Sequence, residues 1–464
     1  MTRIEKGPVF SFTGPKNHPL SPPPSEPSHQ RASFKNWLGN VEARPQAFLL
    51  PQSEEELASA IRAATKVRFL GAGHSFNRCM VSADTMIDMS AFNEIRAPEA
   101  AESKMGTGAH TITVGGGAKL EDVVTTLERK GLALETLPTS GDITIAGAIA
   151  NGVHGSGLRY GALSDQVEAL ELMNGQGKLV RLEGREARDA AVHLGSLGAL
   201  VRVTLRAEPL YHIEKVRETR DEGKVLAELD AKLQKHDRIL MLWHPTARLI
   251  TSEYDDNVPA IVPAEPKSES LADRLSIPVY TSVLHAASKL NFLIPLSNWL
   301  FRAAMSDEHV IRTPKDALLN DPEIKVQDLS YLVPLEPGKE ASSLTTALEA
   351  IRRAFREQDY CPHLPVAIRF VRGSDTALSP TRGETCAAIE VFSHVAFNDH
   401  EAVFRDVEEK MRDLGGAPHW GKTFYQNPRR LYSSERLERF EAIRQRLDPG
   451  EKFSNRWTKS IIHP

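Results

Sequence analysis

A histidine follows two glycines at the end of a short apolar stretch, residues 67–77, VRFLGAGHSFN. The apolar residues predict a buried strand, and Gly71 and Gly73 predict a turn whose backbone amides can come close to a ligand. His74 at the tip is an unusual choice for a turn that only connects two elements. It is the first candidate for chemistry, with a hydrogen bond to a turn carbonyl as the simpler alternative.

A second glycine-rich stretch spans residues 137–157, where five of 21 residues are glycine. Small residues dominate it, so side-chain packing alone would hold it weakly. Such a backbone is typical of a segment that lies against a large flat ligand or wraps a phosphate chain with its amides. A tight crossing between a sheet and a helix is the alternative, and the glycine pattern favours the ligand.

The two glycine-rich stretches carry none of the common nucleotide-binding signatures. Neither contains the G-x-x-x-x-G-K-[ST] segment of a P-loop nucleotide triphosphatase, whose letters occur only outside them, at 416–423 (GAPHWGKT). Phe76 stands where a Rossmann G-x-G-x-x-G fingerprint needs its third glycine. H-E-x-x-H and G-x-S-x-G are also absent. The two glycine-rich stretches therefore predict an extended, phosphate-bearing ligand that is held in another way.

Composition predicts a globular chain with more than one domain, since 464 residues exceed one ordinary core. A net charge of −4 gives no reason to expect a nucleic-acid partner. Cys79, Cys361 and Cys386 show no metal-ligand spacing and fit a reducing, cytoplasmic compartment. Polar residues interrupt the apolar region 277–305, which predicts a buried helical pair and no transmembrane segment. A patch lying on a membrane surface is the alternative.

The elements that must position these residues change in character near residue 208. Before it, strands and helices alternate, with strands predicted at 67–70, 85–89, 112–114, 167–173 and 178–182 and helices after Ser53 and over 120–127. After it, the pattern predicts a loop over 254–275, helices near 344–355, 403–414 and 433–447, and strands at 366–371 and 387–392. A separate α+β domain is expected there.

Three segments carry a family resemblance: LGAGHSFN at 70–77, IAGAIANGVHGSG at 145–157 and HWGK at 419–422. Together they resemble the vanillyl-alcohol oxidase superfamily of flavoproteins, and most closely its sugar-lactone and alditol oxidase branch. The resemblance implies an α+β, two-domain FAD-binding (PCMH-type) fold with a separate α+β substrate or cap domain. The predicted limits are an N-terminal arm at 1–40, the FAD-binding domain at 41–207, the cap domain at 208–417 and a C-terminal segment at 418–464 that returns to the FAD domain.

The resemblance also implies which residues hold FAD. The expected cofactor-binding positions are Gly71, Ala72, Gly73, His74, Ser75, Pro138, Thr139, Ser140, Gly141, Asp142, Gly147, Gly152, His154, Gly155, Ser156, Val201 and Lys422. In this superfamily the histidine of the G-H-S motif is commonly joined to the flavin 8α-methyl, which predicts a covalent bond at His74. His154 matches a T-H-G segment in which Val153 replaces threonine, and it is expected to hold the loop. Pro138 matches the flavin edge where oxidases admit O2.

The implied catalytic residues lie in the second half and the tail. PVAIRF at 365–370 resembles a P-V-E-x-R-F strand, so Arg369 is retained while Ala367 replaces the glutamate that would share its face of the strand. Glu390 stands where alditol oxidases tend to carry histidine, and it is the candidate for polar contact and proton abstraction; a solvated or salt-bridged Glu390 is the alternative. Lys422 matches the lysine near flavin N1, and Phe392 predicts a less sugar-like pocket.

The sequence thus predicts an FAD-dependent oxidase. A CH–OH group of a polyol, sugar lactone or related alcohol would give its hydride to flavin N5, and O2 would be reduced to H2O2. A flavin dehydrogenase with another electron acceptor and a non-catalytic flavoprotein are the alternatives.

Overall fold

The computed structural model describes residues 33–100, 110–267, 271–320 and 324–462. Most of the predicted N-terminal arm, residues 1–32, lies outside the described residues. No helix in the described part combines the length and apolar character needed to cross a lipid bilayer. The same residues contain no group of three or more His, Cys, Asp or Glu side chains placed to hold a metal ion.

The first half of the chain forms small sheets with four helices among the described residues. Its strands are β1 (Phe34–Lys35), β2 (Glu42–Ala43), β3 (Ala47–Leu49), β4 (Val67–Leu70), β5 (Thr85–Asp88), β6 (Glu99–Ala100), β7 (His110–Gly115), β8 (Leu132–Ala133), β9 (Val167–Met173), β10 (Leu179–Glu183) and β11 (Ala199–Pro209). Its helices are α1 (Glu54–Ala63), α2 (Leu120–Arg129), α3 (Ile145–Ala150) and α4 (Gly184–Ala191). The strands β3-β5-β4 form a parallel sheet, and β10-β9-β11-β7-β6 form an antiparallel one whose β11 also pairs with β8.

Local signals explain where these helices begin and end. The Ser53 hydroxyl accepts a hydrogen bond from the Glu56 amide at 3.2 Å, which caps α1 as predicted. Gly131 has a φ of +72°, so it ends α2 in the left-handed conformation expected of a residue just after a helix.

The second half of the chain forms one antiparallel sheet, here called the cap sheet. Its strands are β12 (Tyr211–Asp221), β13 (Arg238–His244), β14 (Leu249–Pro259), β15 (Glu308–Arg312), β16 (Val326–Pro334), β17 (Val366–Val371), β18 (Cys386–His394) and β19 (Ala417–Pro418), in the order β15-β12-β14-β13-β17-β18-β16-β19. The helices of this half and the tail are α5 (Glu222–Lys235), α6 (Leu271–Ala287), α7 (Ile294–Ala304), α8 (Pro314–Leu318), α9 (Glu340–Glu357), α10 (His400–Asp413), α11 (Ser434–Leu447) and α12 (Arg456–Ile462).

The cap sheet has one apolar face and one polar face. Helices α5, α9 and α10 pack on the apolar face, where Ile368 and Ile389 join the same core cluster. Because side chains alternate along a strand, Arg369 and Glu390 point to the opposite face. That face is turned towards the first half of the chain, with which it encloses a cavity.

The tail packs on the first half of the chain. Phe440 and Leu447 of α11 and Ile461 of α12 share a core cluster with Ile112 of β7. The α+β class predicted from the sequence is therefore observed, whereas the residue limits given for the domains stay a prediction.

The sequence patterns predicted too few strands in the cap sheet. The loop predicted over 254–275 is wrong in part, because β14 continues to Pro259 and α6 begins at Leu271. Charged residues caused the error: Glu253 and Asp255 are buried on the cavity side of β14, which gives that strand a surface-like sequence.

Candidate active site

The cavity between the two halves of the chain has a volume of about 520 Å³. The turn after β4, the glycine-rich segment that follows Leu137, and the polar face of the cap sheet form its walls. It therefore brings together the two glycine-rich stretches and the predicted catalytic residues of the second half.

The turn after β4 shows why its glycines are needed. A Cβ on Gly71 would lie 2.1 Å from Thr144 Oγ1, and Gly73 has a φ of +72°. The amides of Ala72, Gly73, His74 and Ser75 donate no hydrogen bond to any described residue, although all four residues line the cavity. Unpaired amides that converge on a cavity form a site suited to a diphosphate.

Segments from both ends of the described chain hold this turn. Asn36 Nδ2 donates to the Ser75 carbonyl at 3.0 Å. The Phe76 amide donates to the Gly421 carbonyl at 2.8 Å, and Asn77 Nδ2 donates to the Trp420 carbonyl at 2.5 Å. The predicted turn and the predicted tail motif are therefore direct neighbours.

His74 lies between an aromatic ring and a carboxylate. The Trp37 ring stacks on it with centroids 5.5 Å apart, and its Nε2 lies 3.7 Å from Asp142 Oδ2. The imidazole of His74 and the ammonium of Lys119 lower the pKa of Asp142 to about 2, although its partial burial opposes this. Asp142 is therefore ionised at any ordinary pH and can orient the imidazole.

The glycine-rich segment lines the cavity at most of its predicted positions. Those that do so are Pro138, Thr139, Ser140, Gly147, His154, Gly155 and Ser156. Gly141, Asp142 and Gly152 are outside the lining. Val201 also lies outside it, because its side chain is buried in a core cluster and its carbonyl accepts a hydrogen bond from the Gly116 amide.

Two buried polar atoms in the lining support a bound group. Asn151 Oδ1 and His193 Nε2 have no hydrogen-bond partner among the described residues. A buried polar atom without a partner is costly, so a ligand that supplies one is expected there. With the unpaired amides, these atoms show that the residues present fit FAD. His193 was missed by the sequence analysis because no motif surrounds it.

Arg369, which is partly buried, and Glu390, which is buried, form an ion pair on neighbouring strands. Arg369 Nη1 donates to Glu390 Oε1, and Nη2 donates to Thr139 Oγ1 at 2.7 Å. In the antiparallel register Glu390 stands directly opposite Ala367. The carboxylate absent from position 367 is thus supplied from across the strand pair, because the Cβ atoms of directly opposed residues lie only about 5 Å apart.

A second ion pair, absent from the sequence analysis, lies beside the first. Lys422 Nζ donates to Asp328 Oδ2, and the ammonium also lies 5.1 Å from the centroid of the Phe76 ring. Asp328, on β16, is only 1% exposed and lines the cavity. Asp328 belongs to no sequence motif. It reaches the cavity because it pairs with Phe392 in the register of β16 and β18.

Burial and charge separate the pKa values of the two carboxylates. Burial raises the pKa of Asp328 to about 6, an effect that Lys422 reduces and Glu390 reinforces. Burial also acts to raise the pKa of Glu390, but Arg369 and Lys422 outweigh it, so that pKa is lowered. Glu390 therefore stays ionised, whereas Asp328 can gain or lose a proton near neutral pH.

Two histidines complete the polar wall without adding charge. His154 Nδ1 lies 2.9 Å from the Gly155 carbonyl, and its ring centroid is 5.6 Å from that of His419. Burial lowers the pKa of His154 to about 4 and lowers that of His419 well below its usual value. Both rings are therefore neutral, and the positive charge at this wall comes from Arg369 and Lys422.

The comparisons with known proteins agree with this geometry. A model described as "FAD binding domain" matches residues 45–183, and one described as "D-arabinono-1,4-lactone oxidase" matches residues 203–461. An FAD domain joined to a cavity with paired cations and carboxylates defines an FAD-linked oxidoreductase that acts on a CH–OH group. The chain belongs to the D-arabinono-1,4-lactone oxidase family, whose model covers more than half of it.

Individual relatives extend over nearly the whole chain. L-gulono-1,4-lactone dehydrogenase of Mycobacterium tuberculosis is 29% identical over 93% of this chain and 99% of its own. Alditol oxidase of a Streptomyces species is 28% identical over 92% and 98%. A solved structure of a solvent-stable cholesterol oxidase shares the fold, with a TM-score of 0.78 and 18% identity over 92% and 97%. The predicted superfamily and two-domain FAD-binding fold are confirmed, and oxidase chemistry is favoured over the alternatives.

Proposed function

We propose that this protein oxidises an alcohol group of a polyol or sugar lactone, with O2 as the electron acceptor and H2O2 as the product. The observation that carries the proposal is two ion pairs on one wall of the cavity, Arg369 with Glu390 and Lys422 with Asp328, in which both carboxylates are buried. The names of two relatives, which refer to L-gulono-1,4-lactone and to alditols, support a polyhydroxylated substrate.

Arg369 and Lys422 bind the oxygen of the reacting hydroxyl. Both side chains are cations that line the cavity. Arg369 is paired with Glu390, and Lys422 is paired with Asp328. Two cations stabilise the alkoxide that develops as the hydroxyl loses its proton, and this stabilisation is strong in a site that excludes water. Thr139, which accepts a hydrogen bond from Arg369, fixes the guanidinium in place.

Asp328 takes the hydroxyl proton. Its pKa of about 6 matches proton transfer near neutral pH, whereas the lowered pKa of Glu390 makes that carboxylate a weak base. This moves the proton-acceptor role from Glu390, where the sequence analysis placed it, to Asp328. Glu390 holds Arg369 and accepts a hydrogen bond from a neighbouring substrate hydroxyl, as the glutamate missing at position 367 would.

FAD, when bound, supplies the two-electron acceptor and returns the electrons to O2. The amides of the 71–75 turn and the atoms of Asn151 and His193 are the groups that would hold it. Pro138 lines the cavity, which supports O2 access at that edge. Lys422 supports the chemistry by stabilising negative charge on the reduced cofactor.

His74 is the proposed point of covalent attachment. Asp142 Oδ2 lies 3.7 Å from Nε2 of the ring, and a carboxylate on that side favours a proton on Nε2, which leaves Nδ1 as the nucleophile. The stacked Trp37 ring limits rotation of the imidazole. These contacts support the covalent bond that the family resemblance implies.

The test of the function begins with anaerobic reduction of the flavin. Alditols of four to six carbons and their 1,4-lactone counterparts are added to the holoenzyme, and the loss of flavin absorbance is followed. If no compound in the panel bleaches the flavin, the result would favour the alternative of a non-catalytic flavoprotein. The reduced protein is then mixed with air-saturated buffer: rapid return of the absorbance with release of H2O2 supports the oxidase, and slow return supports a dehydrogenase.

A further inference from the structure

A second group of charged side chains lines the cavity, on strands β12, β13 and β14. Its members are Lys215, Arg217, Arg238, Glu253 and Asp255, here called the distal cluster. All five are buried, and the oxidation mechanism uses none of them. Buried charges are costly unless they are paired or bind a ligand, so the partners of each member decide what the cluster can do.

Ion pairs satisfy only part of the distal cluster. Glu253 accepts hydrogen bonds from Lys215 Nζ at 2.8 Å and from Arg217 Nε at 2.7 Å, so both of its oxygens have a partner. Asp255 is only 5% exposed, and its Oδ1 makes no hydrogen bond with a described residue, although the Lys215 ammonium lies 3.4 Å away. Arg238 is 2% exposed, and its Nε has no partner in the described part of the chain. A buried acceptor and a buried donor are therefore left for a bound molecule.

The register of the cap sheet aligns the distal cluster with the reacting site. Arg369 pairs with Leu240, and Leu240 pairs with Glu253 on the next strand. Arg217 is in turn the partner of Glu253. Since neighbouring strands are about 4.8 Å apart, the Cα atoms of Glu253 and Arg217 lie about 10 and 14 Å from that of Arg369. All four residues line one cavity, so a single molecule can extend from the reacting site to the distal cluster.

This separation exceeds the carbon chain of a hexitol, whose five bonds of about 1.5 Å span less than about 8 Å. One further sugar ring makes up the difference. Hydroxyl groups also suit the cluster, because each hydroxyl both donates and accepts, whereas a carboxylate only accepts and a guanidinium only donates. An apolar extension would leave the buried charges without partners, and an anionic extension would be repelled by the two carboxylates.

We propose that the distal cluster is a second sugar subsite, which binds the hydroxyl groups of a sugar unit attached to the alditol or lactone that is oxidised. The inference rests on the proposed function, because that function places the reacting CH–OH group at Arg369. Asp255 Oδ1 accepts a hydrogen bond from one sugar hydroxyl, and Arg238 Nε donates to another. Leu240, between the two sites, packs against the apolar face of the ring. The preferred substrates are therefore glycosylated alditols or lactones.

The test compares D-glucitol with three glycosyl-glucitols that differ in linkage or sugar: maltitol, lactitol and isomaltitol. The FAD-loaded protein is mixed with each compound in the absence of O2. The concentration dependence of flavin reduction gives kcat/KM and Kd, and titration of the flavin spectrum gives Kd for a compound that binds without reducing the flavin. At least one glycosyl-glucitol should bind about tenfold more tightly than glucitol, because a hydrogen bond to a charged group contributes about that factor.

Two variants and a matched control identify the distal cluster as the cause. Asp255→Asn keeps the size of the side chain but removes its charge, and Leu240→Trp narrows the passage between the two sites. Each should lower the preference for the best glycosyl-glucitol over glucitol by at least about threefold. Glu222→Gln also removes a buried carboxylate, which is paired with Arg352 at 2.6 Å, but Glu222 lies outside the cavity lining. It should leave the preference unchanged.

The preference is a ratio of two compounds on one protein, so a general loss of stability does not change it. Equal or weaker binding of every glycosyl-glucitol, an unchanged preference in both variants, or an equal loss in Glu222→Gln would overturn the proposal. If Asp255→Asn does not fold, Leu240→Trp decides. Flavin reduction by glucitol without any preference would refute the subsite alone. Preferential binding without flavin reduction would instead refute the oxidase and leave the subsite standing.

Discussion

The register of β17 and β18 places Glu390 directly opposite Ala367, so moving the carboxylate across this strand pair tests the active-site assignment. Glu390→Ala leaves the Arg369 guanidinium, which is only 17% exposed, without its counter-ion. The guanidinium is then no longer held against the reacting oxygen, and losing one positioned donor to a developing oxyanion costs about 3 kcal/mol. If the transition state loses that amount, kcat/KM falls roughly 150-fold.

Returning the carboxylate to position 367 should recover part of the loss. Residue 367 lies two positions from Arg369 and on the same face of the strand, so a glutamate there can reach the guanidinium. Ala367→Glu alone adds a second acidic side chain whose Cβ lies about 5 Å from that of Glu390, and the repulsion between the two carboxylates is expected to be harmful. The double variant A367E/E390A should be at least about tenfold more active than Glu390→Ala, a coupling of about 1.4 kcal/mol.

Kinetics and thermal unfolding of the single and double variants complete this cycle. The best substrate from the flavin-reduction panel is used for kcat/KM, and FAD content is measured for each variant. The double variant A367Q/E390A is the matched control, because it has similar size and no charge. Additive losses in A367E/E390A, or equal recovery in the glutamine control, would show that Glu390 does not act as a carboxylate moved from position 367.

Three further predictions concern the base, the covalent bond and the turn. Because Asp328 must be ionised to accept a proton, kcat should rise with pH through about pH 6, and Asp328→Asn should lower kcat by roughly 100-fold or more and remove that limb of the pH profile. His74→Ala should release all flavin into the supernatant on acid precipitation, and Asp142→Asn should retain flavin in the pellet but acquire it more slowly; flavin in the His74→Ala pellet would contradict the assignment. Gly71→Ala should reduce FAD content and lower the melting temperature by several degrees, because its Cβ would meet Thr144 Oγ1, whereas Gly450→Ala, with open space around its Cβ, should change neither.

On the cofactor side of the molecule, local sequence signals predicted strand β4 and the turn after it. Strand β4 and the turn that follows it could be read from an apolar run and two glycines, since these residues restrict the backbone wherever the rest of the chain lies. The contact between Arg369 and Glu390 could also be predicted, because the family resemblance placed the two residues on neighbouring strands.

On the substrate side, the contacts join segments that are far apart in the sequence, so local patterns could not predict them. Asp328 forms an ion pair with Lys422, which is 94 positions later in the sequence, and no local pattern around either residue predicts this pairing. The strands β12 and β14 were missed for a related reason. Lys215 and Glu253 are buried there as an ion pair, and in a single sequence such residues resemble a solvated surface.

The turn at 71–77 is made early in synthesis, but some of the contacts that support it come from residues made much later. The Asn77 side-chain amide donates to the Trp420 carbonyl, 343 positions later, so the turn lacks this contact until residue 420 has been synthesised. At 5–20 residues per second this delay is roughly 20–70 s. Tight binding of the cofactor by the nascent FAD domain is therefore expected only after the tail has docked. Flavin incorporation would then report the last step of folding, and a pulse-labelled chain should acquire flavin only after its C-terminal segment has docked.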